Sequence, residues 1–181
     1  MNRIIFIFAL FVISHSADGQ SFDKNYLRTH YQQCFKRKTA LDSFVTALEG
    51  AANRSPAEES YLGISYGLTI QYVDGMWSKY RVLSKAKNLL NNAVDRDPKD
   101  PELRFMRFTL EHNIPAFLCM SIHMNDDLKT IMSVPSFLDE NPDMKSAAIQ
   151  FILDSKRCSP QQTALLERVH ADVKKRMTAQ K

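Results

Sequence analysis

Residues Ala86–Arg104, AKNLLNNAVDRDPKDPELR, read as the end of one helix, a stop, and the capped start of a second. Ala86, Leu90 and Ala93 recur at four- and three-residue spacing, so they share one helical face. Two of the three are small, which lets a neighbouring helix approach closely. Pro98 cannot continue a helix, because it lacks a backbone donor and its ring clashes with the preceding turn. Two residues on, Asp100-Pro101-Glu102 starts another: the aspartate accepts an orphan N–H, and proline at the first helical position gives up only a donor that lacked a partner. A helix–turn–helix unit of this kind commits the chain to helical packing.

The same start signal recurs. Ser55-Pro56, Asn141-Pro142 and Ser159-Pro160 each place a capping residue before proline. Glu58 and Gln162 stand where a capping box needs them. Strict apolar–polar alternation is absent, so no strand is expected. The spacing predicts helices over 23–37, 39–52, 56–74, 76–96, 101–112, 126–133, 142–155 and 160–177, with irregular stretches over 113–125 and 134–141. In helix 76–96 the stripe Trp77, Tyr80, Leu83, Ala86, Leu90 and Ala93 is expected to face the core, with Trp77 and Tyr80 as anchors. Gly63 and Gly67 share a face of helix 56–74. Glycine costs about 1 kcal/mol in a helix interior, so close approach of another helix is expected there.

The N-terminus reads differently. Arg3 precedes an unbroken apolar run of ten residues, Ile4–Ile13. A bilayer span needs roughly 18, whereas a run of this length fits the core of a secretory signal. Small residues place cleavage after Ser16 or Gly19, so 1–19 is expected to be removed and 20–181 to form a single all-helical domain that is exported, periplasmic or secreted. That leaves about 160 residues, enough for one core. The full chain of 181 residues has a net charge of +4. Its short basic clusters, Lys36-Arg37-Lys38 and Lys174-Lys175-Arg176, lie near helix ends, where cations complement the dipole. No nucleic-acid partner is expected, and no membrane span once the signal is removed. Three cysteines, Cys34, Cys119 and Cys158, allow three buried thiols or one disulfide with a free thiol; burial is the expectation.

Set against a repeat frame, Pro98 with Ala93, Leu90 and Ala86 resembles the second helix of a tetratricopeptide-type repeat. Trp77 takes the large aromatic position of the first helix, but Asp74-Gly75 interrupts where that helix should run through. The resemblance therefore centres on a helix pair at 76–112. The longer segment, with Leu89 to Pro98 followed by Glu102, Arg104, Arg107, Phe108, Asn113, Pro115 and Phe117, is similar to a group of small, uncharacterised exported proteins of Gram-negative bacteria. That likeness implies a helical fold and export, and it carries over no catalytic residue.

Chemistry is sparse. His30, His112, His123 and His170 form no HxxxH or HExxH, and Glu111-His112 has no partner at helical spacing, so neither metal nor cofactor is expected. Asp139, Glu140 and Asp143 lack the glycine and terminal glutamate of a calcium loop and read as a solvated turn. Asp126 and Asp127 read as a helix start. No phosphate loop or GxSxG is present. Asn53-Arg54-Ser55 matches a glycosylation sequon, discounted because Pro56 follows. Arg104, Arg107 and an exposed Phe108 are the weak candidates for contact with a carboxylate-bearing partner, since guanidinium binds carboxylate in two-pronged fashion. The alternative is that the arginines pair with Asp95 or Asp97. These features predict a non-catalytic binding or scaffolding protein for a protein or peptide of the cell envelope. A second expectation is a ligand-binding protein or hydrolase whose site gathers His112, His123, Glu111, Arg104 and Asp126.

Overall fold

The computed structural model describes residues 21–134 and 136–179; the expected export segment, 1–19, lies outside them. The described residues form eight α-helices: α1 (Lys24–Cys34), α2 (Lys38–Gly50), α3 (Pro56–Thr69), α4 (Met76–Arg96), α5 (Pro101–Asn113), α6 (Met124–Met132), α7 (Pro142–Asp154) and α8 (Pro160–Ala179). Two 3-10 turns, Ile70–Tyr72 and Ala116–Leu118, follow α3 and α5. The chain is all-α, as its patterning predicts, and no strand occurs among the described residues.

The caps form as the sequence requires. The Ser55 hydroxyl accepts the Glu58 N–H at 3.2 Å, and the Glu58 carboxylate accepts the Ser55 N–H at 2.6 Å. The other Glu58 oxygen accepts the Phe22 N–H at 2.7 Å, which fastens the entry to α1 against the start of α3. Ser159 and Gln162 repeat the reciprocal box at 3.2 and 2.8 Å. Asp100 and Asn141 accept single N–H bonds from Glu102 and Met144. Two helices stop well short of their patterns: α1 ends at Cys34 rather than near 37, and α3 well before 74. α3 stops at Thr69, loosens into the 3-10 turn, and breaks at Gly75, whose φ of +81° is in the left-handed region that glycine tolerates.

α3 and α4 pack antiparallel and most extensively, with Arg96 on Glu59 at one end and Lys85 beside Glu49 and Tyr66 towards the other. Gly63 makes this possible. A Cβ there would sit 2.9 Å from Leu90 Cγ, 3.1 Å from the Ala86 carbonyl and 3.2 Å from Leu89 Cβ. Ala86, Leu90 and Ala93 are fully buried, so the small-residue stripe faces a close neighbour as expected.

α5 carries two cores. Met106 and Leu110 join Leu27, Leu41, Leu48, Tyr61, Leu62 and Leu90 in a cluster built by α1 to α5. Phe108, on another face of α5, is buried in a second cluster with Leu128, Ile131, Ile149, Ile152 and Val173 from α6, α7 and α8. The expectation that Phe108 is exposed is thus corrected: its ring is inaccessible because α7 covers it, with Phe151 edge-on at 6.2 Å.

Buried charge ties the layers together. Arg28 of α1 donates to both oxygens of Glu102 at 2.8 Å and to Glu140 at 2.5 Å, and the Tyr61 hydroxyl donates to Glu102 at 2.7 Å. Burial and the adjacent Glu102 carboxylate push the Tyr61 phenol well above its ordinary range. Asp139, Glu140 and Asp143 form the solvated turn that their composition implies, and two of them also reach inward: Glu140 tethers the turn to α1 through Arg28, and Asp139 pairs with the buried Lys145.

Candidate functional site

The apolar stripe on α4 splits in two. From Leu83 onward α3 and the rest of the core cover it. Its first two turns, opposite the point where α3 gives way to the 3-10 turn, stay uncovered. Met76 is 75%, Trp77 79% and Tyr80 44% exposed, with the two rings edge-to-face at 6.3 Å. Trp77 and Tyr80 are therefore not core anchors. Helical spacing placed them on the right face, but α3 ends too early to reach them.

These side chains form one wall of a groove of about 870 Å³. The end of α3 supplies Gly67 and Leu68, and the 3-10 turn after it Ile70; α5 supplies Leu110 and Asn113; and the segment after α5 supplies Ile114, Pro115, Phe117 and Leu118. Phe117 stands 73% exposed at the rim opposite α4. The lining is apolar except for Gln71, Lys79 and Asn113.

Local chemistry fixes the far wall. Pro115 stops α5, and the Leu118 and Cys119 N–H groups bond back to Pro115 and Ala116 at 3.0 and 3.1 Å. Cys119 then reverses the chain at φ +51°. The return is anchored by Glu111, a fully buried carboxylate on α5. It accepts the His123 backbone N–H at 2.8 Å and lies 2.6 Å from His123 Nδ1, so Nδ1 carries the proton. The Ser121 hydroxyl donates to the Glu111 carbonyl at 2.6 Å. Sequence spacing could not reveal this pair, because its members lie twelve positions apart across the end of α5 and the turn that follows.

The predicted contact residues lie elsewhere. Arg107 is buried and donates to both Asp127 oxygens at 2.6 and 2.9 Å, and to Asn91 at 3.2 Å. Arg104 reaches the same carboxylate at 2.9 Å and the Pro98 carbonyl at 2.9 Å. Their acid is Asp127 of α6, fully buried, rather than Asp95 or Asp97; the aspartate taken for a simple helix start locks α5 to α6. Phe108 thus serves the second core and Arg104 and Arg107 the ion cluster on Asp127, and none of the three lines the groove.

The residues expected to gather in a hydrolase site do not converge. Glu111 meets His123, but His112 stacks on Phe108 and packs against Phe151, and Arg104 is held by Asp127. His170 pairs with Ser146 at 2.9 Å between α7 and α8; burial, then Lys174, holds its pKa below the ordinary value. No cluster of three His, Cys, Asp or Glu side chains suited to a metal occurs among the described residues. Nor is any described helix long and apolar enough to cross a membrane. The three cysteines are unpaired: Cys34 is buried, Cys158 partly so, and Cys119 is exposed, against the expectation of burial. A second, shallower depression of about 380 Å³ beside Arg28 is lined by charges that largely satisfy one another.

Protein-family models, curated proteins and solved structures were each compared with the chain, and none matches.

Proposed function

We propose that this is an exported, non-catalytic docking protein that receives an apolar segment of another protein in the α3–α4–α5 groove. One observation carries the reading. Eight large apolar side chains are exposed among the described residues, and four of them, Met76, Trp77, Tyr80 and Phe117, line this one groove. Contiguous exposed apolar surface marks interaction sites, whereas scattered residues do not. Tryptophan, tyrosine, methionine and phenylalanine are the side chains enriched at protein interfaces.

The shape favours a helical occupant. From Met76 to Leu83 the α4 wall of the groove spans eight residues, about 10 Å of helix. A partner helix of two to three turns, with anchors at i, i+3 or i+4, and i+7, matches that length and continues the packing that α3 leaves unfinished. The tetratricopeptide resemblance of 76–112 agrees, since such pairs are binding scaffolds. Export rests on the Ile4–Ile13 run behind Arg3.

The test is site-specific photo-crosslinking in living cells, with the reactive side chain placed at Trp77, Phe117 or Asn88. Asn88 is exposed on α4 away from the groove. The proposal expects one discrete protein adduct shared by positions 77 and 117 and missing at 88. No adduct at either groove position, or the same adducts at all three, would refute it.

A further inference from the structure

Of the fifteen residues lining the groove, Lys79 alone is charged, and no acidic residue is among them. Lys79 makes no ion pair with any described residue. Lys85, less than two turns further along the same helix, by contrast lies 3.1 Å from Glu49. Asp74, at the junction before α4, is outside the lining. An apolar segment laid over Trp77 and Tyr80 would strip water from that ammonium, and an unpaired cation under an interface is costly. We infer that the partner segment carries an acidic side chain, one helical turn from its apolar anchors, that pairs with Lys79. The inference rests on the docking reading above and names the partner's chemistry.

Two other occupants fit less well. A second copy of this chain, groove to groove, repeats the same lining on both sides and brings no acid to either Lys79. A fatty carboxylate would supply the charge, but one slender chain leaves the opposed rims at Trp77 and Phe117 largely in water. An acidic amphipathic helix supplies the charge and covers both rims. The pairing acts mainly on choice of partner: a neutral segment binds somewhat more weakly, and a basic one is disfavoured further by like charge.

The experiment uses protein purified from cells expressing the full 181-residue sequence and a displayed library of random dodecapeptides. Trp77 is the only tryptophan, so its emission reports groove occupancy directly. Peptides selected on the wild type should combine leucine, isoleucine or phenylalanine with aspartate or glutamate, and should shift Trp77 emission to the blue. Changing the acid of a selected peptide to its amide should weaken binding about 1.5- to 5-fold, the range of an exposed ion pair. Selection on Lys79→Glu should exchange acidic for basic residues. Peptides that shift Trp77 without acid enrichment, or with the same enrichment on Lys79→Glu, overturn the inference and leave groove docking standing. Selected peptides that never shift Trp77 overturn the docking reading itself. Dodecanoate that saturates the Trp77 shift at lower concentration than every peptide, or a dimer that disappears in Trp77→Ala, assigns the groove to those occupants instead.

Discussion

Gly63 is where the α3–α4 packing is most exposed to a single substitution, and two opposing terms decide the outcome of Gly63→Ala. Alanine in place of a helix-interior glycine favours the helix by about 1 kcal/mol. Against this, the new methyl would lie 2.9 Å from Leu90 Cγ, 3.1 Å from the Ala86 carbonyl and 3.2 Å from Leu89 Cβ. Two of those atoms are backbone or Cβ and cannot rotate away, so the helices must separate along their most extensive contact. Overpacking of this kind costs about 1–3 kcal/mol, and the immobile neighbours place it in the upper half of that range. The net expectation is a loss of about 1–2 kcal/mol. For a chain of this size each kcal/mol moves Tm by about 2–4 °C, so Tm should fall by several degrees. Gly67→Ala is the internal control. Its methyl meets only Leu110 Cδ1, at 2.8 Å, the far end of a flexible side chain, so the propensity gain should survive and Tm should hold or rise. Urea and thermal unfolding followed by far-ultraviolet circular dichroism measure both. If Gly63→Ala is stabilised as much as Gly67→Ala, the close approach of α3 and α4 is wrong.

Three further outcomes follow from the buried groups. Asp127→Ala strands Arg107 and Arg104 without their shared carboxylate and should cost about 3–5 kcal/mol, as breaking a buried pair does; a urea-denaturation change below about 1 kcal/mol would contradict that burial. His170 has a lowered folded-state pKa, so folding favours its neutral form: its contribution is intact above the unfolded value near 6.5 and is lost as pH falls through the folded value. Stability measured from pH 7.5 to 5 should therefore decline more in the wild type than in His170→Gln, and parallel curves would contradict the buried pairing with Ser146. Cys119, exposed, should react with a thiol reagent in the native protein. Cys34, whose thiol burial pushes up to about 11, should react only on unfolding; peptide mapping of the labelled chain that finds Cys34 modified as fast as Cys119 would contradict its burial.

The helices were legible because their signals are local. Ser55 with Glu58, Asp100, Asn141 and Ser159 with Gln162 all cap as their spacing predicts, since a cap involves only residues two or three apart. Ala86, Ala93 and Gly63 were legible as an interface, because small residues on a helical face have few other uses. The groove was not. Periodicity shows which residues share a face and does not show whether another helix covers it, so Trp77 and Tyr80 look the same in sequence as Leu83 and Leu90. Their exposure depends on α3 ending at Thr69, five residues earlier than its pattern allows. Asp127 and Glu111 were hidden for a related reason: their partners Arg107 and His123 lie across a change of chain direction that no spacing rule encodes.

The central claim is that Trp77 lies under the bound partner. Titrating the protein recovered by crosslinking at positions 77 and 117 back onto this chain, while recording Trp77 emission and its quenching by acrylamide, tests this most directly. A tryptophan-free form of that partner keeps the signal unambiguous. The account predicts readily quenched, water-exposed emission in the free chain, and a saturable blue shift with loss of quenching as the partner binds. Binding confirmed by calorimetry while Trp77 stays fully accessible to acrylamide would contradict it.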